Sequence, residues 1–426
     1  MFRDLLVNRD RIKQFGECGV YLYTTSIMIS KAGMNVSLFI MTIAFLIILI
    51  KNKNIDFQRE TKIIIFFLLL VPIFSLFSPG GLNSFFIAFQ KNYRYLGIIL
   101  IPIFTINTKI IKRCCCFIGI SFIINFIHAI MIYKNLNWNL FYRYSSFGGN
   151  TLNEAHMLSM VLMLFFMLSL YNFKFEKMLI KIVTILVVIL MLGSLILSQG
   201  RGAWIAIFIS ILTIIFLLFV TNNKKIVVIL TIIFSIVFFS LKEFEIKNNH
   251  YISRLNSIRN LNSDSPKIRL LMWKAAVNIY KEHPIFGVGR DNSSKYYVEY
   301  FDKTNSYMEI SSPKELKNIA IAGNAHNMYF TYLAEGGMLF FLFIGVLIYL
   351  LINELLLLRK VSKDGFEYYF LLGLIGMFVS FCIGGLTENS WQDIWKSNVF
   401  CWSLGMYLSI KNIENNRGKN ENSICY

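Results

Sequence analysis

Two arginines and one histidine in this 426-residue sequence stand in polar breaks where their side chains could do chemistry. Arg201 lies in Ser198-Gln199-Gly200-Arg201-Gly202-Ala203-Trp204, which interrupts what would otherwise be one 43-residue apolar stretch. Glycines at 200 and 202 permit tight backbone geometry and leave the guanidinium unobstructed. Arg269 falls in Ser265-Pro266-Lys267-Ile268-Arg269, a helix start with Ser265 as N-cap and Pro266 at the first helical position. A cation in the first turn opposes the helix dipole, so Arg269 calls for a nearby anion, either a phosphate partner or a protein carboxylate. His326 opens an apolar run in Ala325-His326-Asn327-Met328-Tyr329. Guanidinium forks match phosphate oxygens, and imidazole is suited to take a proton near neutral pH. Plain structural readings fit the same positions: Arg201 snorkelling beside Trp204, and His326 capping a helix.

The elements that must position these residues are membrane helices. The sequence is 56% hydrophobic, 16% aromatic and 15% charged, with 40 Phe and a mean hydropathy of +0.58. That exceeds what one soluble core could bury and excludes a soluble globular enzyme as the first reading. A bilayer core of about 30 Å needs about 20 mostly apolar residues per helix. Windows of that size predict twelve spans: 17–33, 35–50, 63–79, 92–107, 115–133, 156–171, 178–199, 203–220, 226–241, 328–357, 367–386 and 394–410. The first is the weakest, because YTTSIMISK is polar for a span. The expected fold is thus an all-α polytopic membrane protein of about twelve transmembrane helices. Its parts are residues 1–241 with helices 1–9, a long loop at 242–327, 328–411 with helices 10–12, and a tail at 412–426. The tail is polar and expected to be disordered.

The net charge of +18 would point to nucleic acid in a soluble protein, but the basic residues sit in short clusters between apolar runs. With the N-terminus inside, 22 Lys and Arg fall in inside segments and seven in short outside segments. This asymmetry predicts cytoplasmic N- and C-termini. The other 13 lie in 242–327, a long outside loop of the kind that translocates regardless of charge. No removable signal peptide is expected, and the first span is expected to serve as the insertion signal.

Within that loop, IRLLMWKAAVNIYKEH places Ile268, Leu271, Met272, Ala275, Ala276 and Ile279 on one side of an amphipathic helix, which ends before His283-Pro284. Gly287 and Gly289 make a turn, and their G-x-G is no nucleotide fingerprint, lacking a third glycine and a preceding strand. Glu335 beside Gly336-Gly337 reads as structural, small residues letting helices approach closely. His128 lies within an apolar run, His156 starts a helix behind Gly148-Gly149-Asn150, His250 and His283 lie in loop segments without a motif, and the seven cysteines show no metal or disulfide spacing. Neither D-x-D nor H-E-x-x-H occurs, so no metal and no cofactor is expected. Arginines and one histidine therefore gather on the outer face of a membrane bundle without a nucleotide site. A substrate carrying its own activation, such as a lipid diphosphate, suits that set: arginines neutralise the leaving diphosphate and the histidine deprotonates an acceptor hydroxyl.

Three segments, LSQGRGAWIAI, IRLLMWKAAVNIYKEHPIFGVGR and AHNMYFTYLAEGGMLF, resemble in order and topology the bacterial O-antigen ligases, with the related O-antigen polymerases and protein O-oligosaccharyltransferases. RYSSFGGNTLNEAHML adds looser likeness, so the resemblance covers roughly residues 143–345. It implies a glycosyltransferase of the bacterial inner membrane with a periplasmic loop at 242–327 and its active site on the periplasmic face. The implied donor is undecaprenyl-diphosphate-linked O-polysaccharide and the implied acceptor a sugar of lipid A-core. Transfer would be metal-independent and inverting. By motif position, Arg201, Arg269 and, at a less uniform position, Arg290 would bind the diphosphate, and His326 would be the general base. Gln199-Gly200 before Arg201 departs from the shorter Ser-Arg-Gly of many relatives, which leaves the height of that arginine open. Motif order around one late loop favours ligase over polymerase or another lipid-linked oligosaccharyltransferase. A polysaccharide transporter would need polar groups through the span centres and repeats, which the sequence lacks.

Overall fold

The computed structural model describes residues 9–51, 56–139, 142–221, 264–310, 313–323 and 325–424. These contain sixteen α-helices and no strand. The N-terminal part comprises α1 (Arg9–Ser26), α2 (Lys31–Lys51), α3 (Arg59–Leu76), α4 (Gly81–Asn92), α5 (Leu96–Phe104), α6 (Thr108–Asn135), α7 (Thr151–Phe175), α8 (Met178–Leu197) and α9 (Arg201–Val220). The loop region carries α10 (Asp264–Glu282), α11 (Ser293–Thr304) and α12 (Pro313–Ile321). The chain closes with α13 (Met328–Gly336), α14 (Leu339–Lys360), α15 (Phe366–Gly384) and α16 (Ile394–Ile424).

Seven of these, α2, α6, α7, α8, α9, α14 and α15, are long and apolar enough to cross a membrane. The chain is thus an all-helical polytopic membrane protein. The predicted span 226–241 lies outside the described residues, as does the start of the loop. The weakest window, 17–33, resolves into α1 and a turn, and its polar residues have partners: Tyr23 Oη donates to Asn398 Oδ1 at 2.6 Å, and Trp402 Nε1 donates to Thr24 Oγ1 at 2.9 Å. The window 92–107 becomes a 3-10 turn and the short α5. The window 328–357 splits at Gly337, which takes a φ of 55°.

Burial orders the bundle. The most apolar window of α15 is 78% buried and that of α7 56%, against 28% for α8 and α9. The reason is visible in the contact: Gly373 and Gly376 of α15 lie against Leu164 and Met163 of α7, and Ser159 and Ser380 share a hydroxyl contact at 2.9 Å. Small residues allow this close approach, while the outer helices show apolar side chains such as Leu179 and Phe216 where lipid would lie. The C-terminal end of α15 is consequently a fixed platform.

A second core belongs to the loop. All six residues expected on the apolar face of α10 are buried, together with Tyr297 and Phe301 of α11, Leu316 of α12 and Ala334 of α13. Asp264 and Ser265 are both helical, so Ser265 is not the N-cap of α10, and the helix ends at Glu282 as predicted. The close approach expected at Gly336-Gly337 is made by a loop and not by a helix: Val288 N and Gly289 N donate to the carbonyls of Ala334 and Glu335, each at 3.0 Å. The C-terminal tail also differs from expectation. α16 continues through it to Ile424, and Arg417 pairs with Glu414 one turn away and with Glu367 of α15.

Candidate functional site

The first turn of α13 is held by Asn327. Its Oδ1 accepts from Tyr329 N at 2.9 Å and Phe330 N at 3.2 Å, while its Nδ2 donates to Leu386 O. Met328 N donates to Gly385 O at 2.7 Å. Asn327 is therefore the cap, and His326, one residue earlier, does not serve as one. His326 takes a φ of 47°, an uncommon conformation for a residue with a Cβ. The staples to residues 385 and 386 hold it there.

Beside it stands Glu388, in the turn that follows α15. His326 Nδ1 is 3.5 Å and Arg269 Nη2 3.9 Å from Glu388 Oε1, and Lys396 Nζ is 4.0 Å from Oε2. The Glu388 side chain is 8% exposed and that of Lys396 2%, whereas His326 and Arg269 are about 30% exposed. Burial alone would raise the Glu388 pKa. His326 and Lys396 outweigh it and hold the carboxyl down to about 2. Because α10 already includes Asp264, Arg269 stands in its second turn and not in its first, and Glu388 is the carboxylate that faces it.

Arg201 opens α9 at the same end of the bundle. A Cβ on Gly202 would collide with Thr387, the neighbour of Glu388, and one on Gly200 would crowd Ala155 of α7. The two glycines thus seat the α9 terminus between α7 and the turn after α15. The reversal itself falls on Gln199, with a φ of 52°. A further arginine reaches this turn: Arg143 Nε donates to Ser198 O at 3.1 Å, next to Tyr144 N donating to Leu197 O. Trp204 Nε1 donates to Leu195 O.

Arg290 lies deeper. It is 5% exposed, its Nε is 3.9 Å from Asp291 Oδ1, and its charge is felt by Tyr95 and Glu335. Lys91 pairs with Asp291 above it. A cavity of about 450 Å³ opens over this floor, lined among others by His326, Glu388, Asn389, Gln392 and Lys396. Arg201, Arg269 and Arg290 do not line it. Among the described residues no three His, Cys, Asp or Glu side chains gather as a metal site.

Arginine, histidine and carboxylate thus meet where the loop rejoins the bundle, in the chain order of the motifs. Residues 186–345 match the O-antigen ligase family. No curated protein matches the chain. The O-antigen ligase match contains Arg201, Arg269, Arg290 and His326, and ends before Glu388 and Lys396. It also begins after the RYSSFGGNTLNEAHML segment. The acid that pairs with the histidine therefore comes from the turn between α15 and α16, outside the matched region. In the sequence, Thr387-Glu388-Asn389-Ser390 carries no motif that singles out Glu388. A usable signal existed: like residues 198–204, it is a polar break between apolar runs, and the charge count puts it on the same face.

Proposed function

We propose that the protein is an O-antigen ligase that transfers undecaprenyl-diphosphate-linked O-polysaccharide to a sugar hydroxyl of lipid A-core. The observation that carries the reading is the convergence of His326 and Arg269 on the buried Glu388 carboxylate, within a bundle whose residues 186–345 match the O-antigen ligase family. In this reading the site faces the periplasm, and the termini lie on the cytoplasmic side of the inner membrane.

His326 is the general base. It takes the proton of the acceptor hydroxyl as that oxygen bonds to the anomeric carbon, from the face opposite the diphosphate. The bond from that carbon to the diphosphate breaks, configuration inverts, and the lipid diphosphate leaves with the electron pair. Arg201 and Arg269 offset its developing charge from the rim of the bundle. Glu388 orients the imidazole and stabilises the imidazolium, which a buried carboxylate does without itself taking a proton. Arg290 serves differently: buried away from the cavity, it holds the floor that carries Asp291 and Glu335. No metal ion or cofactor enters this scheme.

Replacing His326 with Ala in the native host tests the proposal. A gel of the lipopolysaccharide is expected to show bare core while lipid-linked polymer still accumulates. Core capped by a single repeat would identify a polymerase instead. Fully capped lipopolysaccharide from a well-expressed variant would overturn the base assignment.

A further inference from the structure

The cavity beside His326 presents a group that the base and the diphosphate-binding arginines do not use. Asn389 lines its wall, is 7% exposed, and its Oδ1 is a buried acceptor without a hydrogen-bond partner among the described residues. A buried amide oxygen left unpaired is costly, and such groups tend to find their partner in a ligand. Which atom of Asn389 lacks a partner follows from a relay. Glu335 Oε1 accepts from Asp291 N and Ser293 Oγ, both at 3.2 Å, and its Oε2 accepts from Gln392 Nε2 at 2.6 Å. With its NH2 committed to the carboxylate, Gln392 turns Oε1 to Asn389, which donates through Nδ2 at 2.9 Å. Asn389 is left with Oδ1, the acceptor without a partner, and the second N–H of its amide.

The rest of the lining fits a polyhydroxylated ring. Asn150, Asn153, Ser293 and Ser294 offer neutral donors and acceptors beside the charged Lys91, Asp291, Asp393 and Lys396, and few apolar side chains accompany them. A volume of about 450 Å³ lies in the range of small-ligand sites and suits no long acyl chain. His326 lines the cavity while Arg201 and Arg269 do not, so the group that loses a proton sits here and the diphosphate lies beyond it. Resting on the ligase reading above, we propose that Asn389 Oδ1 accepts a hydrogen bond from a ring hydroxyl of the acceptor saccharide, next to the one His326 deprotonates. Asn389 and Gln392 are then determinants of acceptor choice.

The test uses the full-length protein in nanodiscs, with the host's lipid-linked polysaccharide as donor and deacylated lipopolysaccharide core oligosaccharide as acceptor, each varied in turn. Asn389→Ala is expected to raise the acceptor KM about tenfold, the worth of one hydrogen bond to a buried group, with the donor KM within about twofold. Gln392→Leu, which keeps the Asn389 oxygen but releases its orientation, is expected to raise the same KM about threefold. An unchanged acceptor KM, or a rise confined to the donor KM, overturns the proposal. If Asn389→Ala does not fold, the acceptor KM of Gln392→Leu decides alone. A wild-type protein that ignores the core oligosaccharide but lengthens lipid-linked glycan overturns the ligase reading and this proposal with it, before any variant is compared.

Discussion

Replacing Glu388 with Gln removes one charge while keeping the shape of the side chain, and the expected cost can be worked out. In the folded protein the carboxyl is held at about 2, against an ordinary value of 4.5. At about 1.4 kcal/mol for each tenfold, that difference corresponds to roughly 3 kcal/mol of stability at neutral pH. The sign follows from the direction: a carboxyl whose folded pKa is depressed stabilises fully above pH 4.5, and that contribution is lost as pH falls toward 2. By about pH 3 less than half of that should remain, since much of the folded-state carboxyl advantage has titrated away. Gln mimics the protonated form, so the wild-type and variant proteins should differ by roughly 3 kcal/mol at pH 7 and by about half of that or less at pH 3. Unfolding in mixed micelles, followed by tryptophan fluorescence, suits the measurement, because Trp391 lies in the turn and Trp395 in the first turn of α16. A gap that is the same at pH 7 and pH 3, or absent at pH 7, refutes the reasoning. Glycan transfer supplies an independent reading. If Glu388 stabilises the imidazolium of His326, the variant should lose about 10²-fold or more in kcat with little change in either KM.

Arg201→Lys and Arg269→Lys keep the charge but lose the planar fork. If each loses one charge-assisted hydrogen bond, kcat/KM for the lipid-linked donor should fall about tenfold to hundredfold, and a fully active Lys variant at either position would leave that arginine a structural role only. Gly337→Ala should destabilise the protein by about 2–4 kcal/mol, because the residue has a φ of 55° and an added Cβ would collide with the backbone at Gly287. Unfolding midpoints in the same micelles measure this, and an unchanged midpoint would deny that the 285–289 loop docks there.

Much of the architecture was legible in the sequence because the bilayer imposes a simple rule. A helix must be apolar over its buried length, and the loops that carry positive charge stay inside, so hydropathy and charge outline most spans without any knowledge of packing. The six-residue apolar face of α10 and its end before Pro284 were equally local, set by helical period and proline chemistry. What local rules missed were elements whose form depends on a partner. Windows 92–107 and 328–357 read as single spans, yet each breaks. At Gly337 the cause is the 285–289 loop, 50 residues away in sequence, which claims the end of α13 by backbone hydrogen bonds.

The candidate site divides the same way. Residue type and position were enough to single out Arg201, Arg269 and His326, since a guanidinium or imidazole at a membrane face is rare enough to be noticed alone. Whether His326 caps α13 could be settled only by Asn327 taking that role, and the anion facing Arg269 only by the fold. Glu388 is about 60 residues from His326 and about 120 from Arg269, and no spacing rule links them. It reaches them because Gly373, Gly376 and Gly384 let α15 sink against α7, and Gly202 lets α9 close over the turn that follows. The sequence alone determined a membrane bundle with cations on one face. The tertiary structure alone decided which carboxylate those cations share, because that choice depends on how closely helices distant in the chain can pack.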